Sequence, residues 1–547
     1  MKMTALSRLL CAGTLALSAH AHAGPAASPY QVSISPLGSY QTGLFEKSAA
    51  EIVAHDPASQ RLFVVNAASG MIDVLDVRDP ASPTFLFNIA LGGTVNSVAV
   101  HKGLIAAAVE NPVKTAPGRV VFLTAEGRTL TDVEVGALPD MLTFTPDGKR
   151  VLVANEGEPA EDYTIDPEGS VSIIDLPADI SQLGPQHVRT ARFTRFNDVE
   201  LDPAIRVFGP QGTVAQNLEP EYITVAKDSR TAWVALQEAN AIGILDIEAG
   251  EFSAIKPLGF KDYMLPGNEL DVSDRDGIRI GNWPVLGMYQ PDTIANYEYR
   301  GRNYIVTANE GDSRDWAGYS EVSRFRALSE RTPPCADSPR MQAFFADNPF
   351  GITSLTQLRD NANMGRLNVT TATGLRADGS CYEDIYAYGA RSFAIWTADM
   401  TQVFDSGAAF EKHIAEVNPT NFNANHTANA ADARSDDKGP EPEALAVAKL
   451  FGRTYAFIGL ERIGGVMIYD ITNPYAPGFV QYFNYRDFTA APGTPAALDL
   501  GPEGIAVIAP EASPIPGVPL LVVANEVSGT TTVFRIDRDK LVGNAAR

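Results

Sequence analysis

VLVANEGEPAEDYTIDPEGSVSIIDL, residues 151–176, decides the fold. An apolar run, VLVA, stops at Asn155-Glu156. A second run rich in β-branched residues, SVSIIDL, follows and passes through Asp175. Short apolar runs bounded by turn residues read as antiparallel strands. Just upstream, Pro139-Asp140 opens a further apolar run, and Pro146-Asp147-Gly148 supplies a tight turn into Val151. The unit is therefore an acid after proline, a strand, a turn, a strand ending in Asn-Glu, and a return strand.

Working outward, the same phrase recurs as LFVVNAASGMIDVLDV (62–77), LIAAAVENPVKTAPGRVVFL (104–123), AWVALQEANAIGILDI (232–247), YIVTANEGDSRDW (304–316), YAFIGLERIGGVMIYDI (455–471) and LLVVANEVSGTTTVFRID (520–537). The preceding acid is clean at Asp140, Glu221, Asp292, Glu443 and Glu503, each after a proline. It is degraded at Ala50-Glu51 and Asn96-Ser97. Acid and Asn-Glu positions stand 13 to 23 residues apart, mostly 16 to 18. A small sheet cannot bury both faces alone, whereas radial stacking of such sheets buries the faces and protects the edges. The fold expected is all-β, a seven-bladed β-propeller over residues 30–538. Residues 30–40 (YQVSISPLGSY) are expected to close the last blade, which lacks an outer strand at the C-terminal end. Interruptions fall at 177–217, 260–288 and 402–438, and a long irregular insertion in blade five spans 312–388.

Residues 1–23 read as a signal peptide: Lys2 and Arg8, an apolar run too short to span a membrane, and an Ala-His-Ala site ending at Ala23. No later run is long enough to cross a membrane, and no anchor sequence is read at the end of the chain. The expected location is periplasmic or secreted. In such a compartment Cys335 and Cys381 are expected to pair, a cross-link worth roughly 4 kcal/mol. The net charge of −23 excludes nucleic acid and anionic membrane as partners and suits divalent cations. Solubility alone is the plainer reason for such acidity. A monomer is expected.

Three groups of residues could carry chemistry. Innermost strands line a propeller's channel, so Glu51, Asp140, Glu221, Asp292, Glu443 and Glu503 form one acidic ring at its mouth, with Ser97 as the gap. Antiparallel return brings Glu110, Glu156, Glu238, Glu310, Glu461 and Glu526 to the same end as a second ring. Clustered carboxylates suit hard cations, calcium first among them. Alternatively, the first ring satisfies backbone donors at turns, and the second pairs with arginines such as Arg314, Arg391 or Arg462. The third group is His426, Asp432, Asp436, Asp437, Lys438 and Glu441, where Arg434 and Lys438 could meet an anion; a solvated acidic loop is the plain alternative. Asp274-Arg275-Asp276-Gly277 resembles part of a calcium loop without being an EF-hand. No HExxH, GxSxG or Walker loop occurs.

The VLVANEG phrase resembles YVTN-type propeller repeats. The segments ELDVSDRDGIRIGNWPVLGMYQPDTIANYEYRGRNYIVTANEGDSRDW (269–316), FDSGAAFE (404–411) and FNANHTANAADARSDDKGPEPEALAV (422–447) resemble the choice-of-anchor I family across nearly the whole chain. That resemblance implies a secreted or surface propeller. The family group includes relatives of a mesenchyme-specific cell-surface glycoprotein and atypical alkaline phosphatases, so it also implies metal-dependent phosphoester hydrolysis. In that reading Asp292, Glu310, Glu441, Glu443 and Glu503 hold the metal. Glu443, His426 and Asp437 are catalytic, and Arg434, Lys438 and Arg314 bind a phosphorylated small molecule. The competing expectation is a non-catalytic module with structural calcium, binding an extracellular protein or glycan.

Overall fold

The computed structural model describes residues 30–210, 212–328 and 332–540; the signal-peptide expectation lies outside them. The chain is all-β with short helices. Seven antiparallel four-stranded sheets follow one another: sheet one (53–90), two (95–137), three (139–192), four (220–257), five (294–405), six (442–483) and seven (502–540, with Tyr30–Gln41 as its fourth strand). The first strand of each sheet contacts the first strand of the next, and that of sheet seven contacts that of sheet one. Tyr30–Gln41 pairs along Thr530–Lys540, from Tyr30 opposite Lys540 to Gln41 opposite Thr530, with a register shift between Pro36 and Gly38.

The second strand of sheet three shows why the runs are apolar on both faces. In Arg150–Asn155, Val151 and Val153 pack against Ala106 and Phe122 of sheet two. Leu152 and Ala154 pack against Val234 and Leu236 of sheet four. Such a strand is buried on both sides, so the run is continuous instead of alternating. The same construction recurs between all consecutive sheets, including sheets seven and one, where Leu520 and Val522 meet Leu62 and Val64.

The two interruptions at 260–288 and 312–388 are not independent loops. Leu286–Met288 pairs antiparallel with Phe260–Asp262 and parallel with Tyr386–Ala387. Together they enclose their own core, which includes Tyr263, Trp283, Val285, Phe325, Met341 and Phe344. Cys335 and Cys381 form a disulfide there, with Cα atoms 5.2 Å apart. Asp274 is ion-paired with Arg366 and Asp276 with Arg279, so both carboxylates already have cations.

Candidate cation-binding mouth

The backbone places both acid positions at one end of each sheet. Pro139 sits opposite Asn155, Pro220 opposite Leu236, Pro442 opposite Leu460 and Pro502 opposite Asn525. The acid follows the proline and the Asn-Glu glutamate follows its partner strand, so the two side chains start side by side. At each of these prolines the register slips immediately afterwards. A bulge bends the strand and re-aims a side chain, here that of the acid. Backbone bonds fix the arrangement: the N–H groups of Glu156, Glu461 and Glu526 donate to the carbonyls of Leu138, Glu441 and Gly501 at 2.8–2.9 Å.

A cavity of about 340 Å³ is lined by Glu51, Asp140, Asp292 and Glu503 of the first set and by Glu110 and Glu156 of the second, with apolar Met141, Leu445 and Ile505. Within this mouth, carboxylate oxygens of Asp292, Glu310 and Glu443 lie within 4.8 Å of one another. A second such trio is Glu156, Glu221 and Glu238. Two oxygens that each lie about 2.4 Å from one calcium ion cannot be farther apart than about 4.8 Å, so both trios have the size and donor chemistry of a hard-cation site. Glu443 Oε2 is buried without a hydrogen-bond partner. Glu503 lines the cavity but lies outside the tight trio.

Crowding shows in the protonation of the acids. Burial, then Glu503, Glu461, Glu310 and Asp292, holds the Glu443 carboxyl far above the ordinary range. Burial likewise raises Asp292 and Glu503. Burial pushes Glu51 up to about 8 and Asp140 to about 7. Burial and mutual repulsion thus disfavour the ionised forms of these acids.

Several expected roles are corrected here. Glu441 is fully buried, with a carboxylate oxygen within 4.8 Å of those of Glu310 and Glu461, and a metal there would compete with the basic groups that already hold both its oxygens. Oε1 accepts from Arg434 at 2.6 and 2.9 Å, and Oε2 accepts from Arg462 at 2.9 Å and faces Lys438 at 3.0 Å. Burial opposes ionisation of Glu441, yet Lys438, Arg462 and Arg434 hold its carboxyl well below the ordinary range. Arg434 and Lys438 are consequently not open anion binders. Arg434 also pairs with Asp437 at 2.8 Å, and Lys438 donates to Glu310 at 2.5 Å and to the Gly311 carbonyl at 2.6 Å. Arg314 is buried elsewhere, donating to Glu219 and Asn217 at 2.7 Å and to the Phe208 carbonyl at 2.8 Å. Asp437 and His426 do not form an acid–base pair with each other. Asp437 serves Arg434, while His426 lies 3.0 Å from Arg462 and 3.3 Å from Glu461. Arg462 does pair with the Asn-Glu position, at 2.6 Å from Glu461, whereas Arg391 pairs with Glu411 at 2.8 Å.

Glu219 was not singled out by the repeat, although a signal exists. Glu219-Pro220-Glu221 and Glu441-Pro442-Glu443 are the same tripeptide. In each, the glutamate before proline takes arginine partners and the one after it faces other acids. Glu441 reaches its partners from a left-handed backbone, φ 53°, a strained conformation for this residue type. Gln237 is the other unanticipated group, donating to Glu310 at 3.1 Å.

A family model described as the choice-of-anchor I domain matches residues 51–474. The chain is 29% identical over 334 residues to a mesenchyme-specific cell surface glycoprotein of Strongylocentrotus purpuratus, covering 55% of this chain and 39% of that protein. It is 32% identical over 195 residues to Gigasin-3a of Magallana gigas, covering 33% of this chain and 68% of that protein. Among solved structures, Kuenenia stuttgartiensis hydrazine synthase aligns at a TM-score of 0.45 and 12% identity, over 91% of this chain and 99% of that one. The β-propeller domain of Myceliophteria thermophila Cps50 (Swd1) aligns at 0.41 and 8%, over 92% and 99%. Among the described residues no helix is long and apolar enough to cross a membrane.

Proposed function

The chain belongs to the choice-of-anchor I family, and from that premise we propose that it is an extracellular, non-catalytic binding module. Its scaffold is a closed seven-bladed propeller, with Tyr30–Gln41 completing the last blade, and its mouth holds a divalent cation, calcium by preference. The ligands are Asp292, Glu310 and Glu443. The observation that carries this reading is the orphaned, buried Glu443 Oε2 within a trio of carboxylates. An oxygen acceptor left bare in a buried site costs free energy that a hard cation recovers. The cation would neutralise acids that otherwise repel and would set the shape of a rim offered to an extracellular protein or glycan. The cell-surface glycoprotein among the relatives supports that location.

Phosphoester hydrolysis, the other chemistry such a cation can perform, is disfavoured by the ion pairs just described: Arg434, Lys438 and Arg314 are each bonded to carboxylates and leave no cationic phosphate cradle. The test uses purified protein stripped with chelator. Calcium is expected to raise the thermal midpoint, and Glu443→Gln to weaken that response. Turnover of p-nitrophenyl phosphate is expected to stay at background with Ca²⁺, Mg²⁺ or Mn²⁺. Metal-dependent turnover abolished by Glu443→Gln would overturn the non-catalytic reading, and an unchanged melt with calcium would overturn the cation.

A further inference from the structure

We infer that Glu156, Glu221 and Glu238 form a second divalent-cation site in the mouth, sharing no ligand with the trio of Asp292, Glu310 and Glu443. The repeat explains why there should be two. In each trio the Asn-Glu glutamate of one sheet meets the post-proline acid of the next: Glu310 of sheet five with Glu443 of sheet six, and Glu156 of sheet three with Glu221 of sheet four. The third ligand is Asp292 in one case and Glu238 in the other. Both are supplied by a sheet already present in the pair.

Acid clusters alone are common, and two further observations point to an ion here. Glu221 and Glu238 are 8% and 6% exposed, and Oε2 of each is buried with no hydrogen-bond partner. One carboxylate oxygen from each of the three residues lies within 4.8 Å of the others, so the two bare oxygens belong to carboxylates that converge on one place. The neighbouring cations are committed elsewhere. Arg314 is bonded to Glu219, and Arg206 is bonded to Glu321 and to the backbone carbonyl of Glu238. The site differs in this from its counterpart, where Lys438 already contacts Glu310. Here Arg314 and Lys114 act on Glu238 and Glu156 only through space.

The donor set is oxygen only, which selects Ca²⁺, Mg²⁺ or Mn²⁺ over softer ions. Three carboxylates leave room for the several further oxygens that calcium takes, which water from the cavity beside Glu156 can supply. Burial, reinforced by neighbouring acids, holds Glu156 and Glu221 far above the ordinary carboxyl range.

Calcium titration calorimetry of the chelator-stripped protein at pH 8 tests this, with circular dichroism as a check that each variant is folded. Two ions are expected to bind wild type. Glu221→Gln/Glu238→Gln is expected to remove one, or to raise its Kd at least tenfold, and to leave the other. Glu156→Gln, on the adjacent sheet, serves if the double variant does not fold. A stoichiometry and affinity unchanged by these variants would overturn the inference. If wild type binds a single ion that disappears only in Glu443→Gln, this inference falls and the proposed function stands. If the ion is lost only with Glu221 and Glu238, this site stands and the assignment to Asp292, Glu310 and Glu443 falls. Absence of any bound ion overturns both.

Discussion

The two sides of the mouth handle the same problem, buried negative charge, in opposite ways. Around Glu441 the chain supplies its own cations: Arg434, Lys438 and Arg462 surround one fully buried carboxylate. Around Glu221 it supplies none, and two buried oxygens stay bare. The two sites begin from the same Glu-Pro-Glu tripeptide. Glu441 and Glu221 occupy opposite ends of it, and the role follows the position: the glutamate before proline takes basic partners, and the one after it faces other acids. The loop 423–439 delivers basic partners to Glu441, and the insertion delivers Arg314 to Glu219.

That contrast is breakable. The largest effect is expected from Glu441→Ala, which leaves three buried cations without their shared partner. Loss of one side of a buried ion pair costs about 3–5 kcal/mol, read as a drop in the urea midpoint. Lys438→Met should cost less, about 2 kcal/mol, the scale of hydrogen bonds to charged groups. Glu441 keeps two arginines, and Glu310 keeps Gln237. On the other side the sign should reverse. In chelator, Glu221→Gln should stabilise the protein, because it replaces a carboxyl whose ionised form is disfavoured by burial and by neighbouring acids. A destabilised Glu221→Gln would show that the two sides do not differ as described. At the small end, Arg78→Ala should not measurably move the midpoint, since its pair with Asp76 is solvent-exposed.

The pH dependence sharpens the same comparison. Unfolded carboxyls ionise near 4, whereas burial holds Glu51 and Asp312 near 8 in the folded protein. Between about pH 4 and 8 the metal-free folded state therefore binds more protons than the unfolded chain, and its stability falls as pH rises through that window. Glu441, held low, works the other way. Its contribution is present above the unfolded value of 4.5 and is lost as pH falls towards its own folded value. Urea midpoints in chelator should be higher at pH 5 than at pH 8, and added calcium should narrow the gap. A midpoint that rises steadily from pH 5 to 8 without metal would contradict the uncompensated side.

The all-β class was legible because both faces of strands such as Arg150–Asn155 are apolar and turn residues punctuate them at regular spacing. Convergence of acid and Asn-Glu positions was legible as well, because antiparallel return forces it. The pairings were not. Arg314 and Glu219 stand 95 residues apart, and Lys438 and Glu310 stand 128 apart, and no local periodicity reports which basic residue a folded loop will deliver. Hence Arg434 and Lys438 read as anion binders in the sequence and are ion-pair partners in the fold, while Arg314, which carried both readings, pairs with Glu219. The parallel pairing of Leu286–Met288 with Tyr386–Ala387 was hidden for the same reason. Two- and three-residue strands carry too little alternation to show.

The pairing of Tyr30–Gln41 with Thr530–Lys540 has a temporal consequence. Among the described strands, the first in the chain takes its sheet partner from the last. At roughly 5–20 residues per second of chain growth, it waits on the order of half a minute or more with its backbone groups unpaired. Pro36 and the slip at Gly38 make it a poor template for other chains during that wait. The seam between Tyr30–Gln41 and Thr530–Lys540 is thus also a clock: the strands of the other six four-stranded sheets are made before the one that completes this sheet.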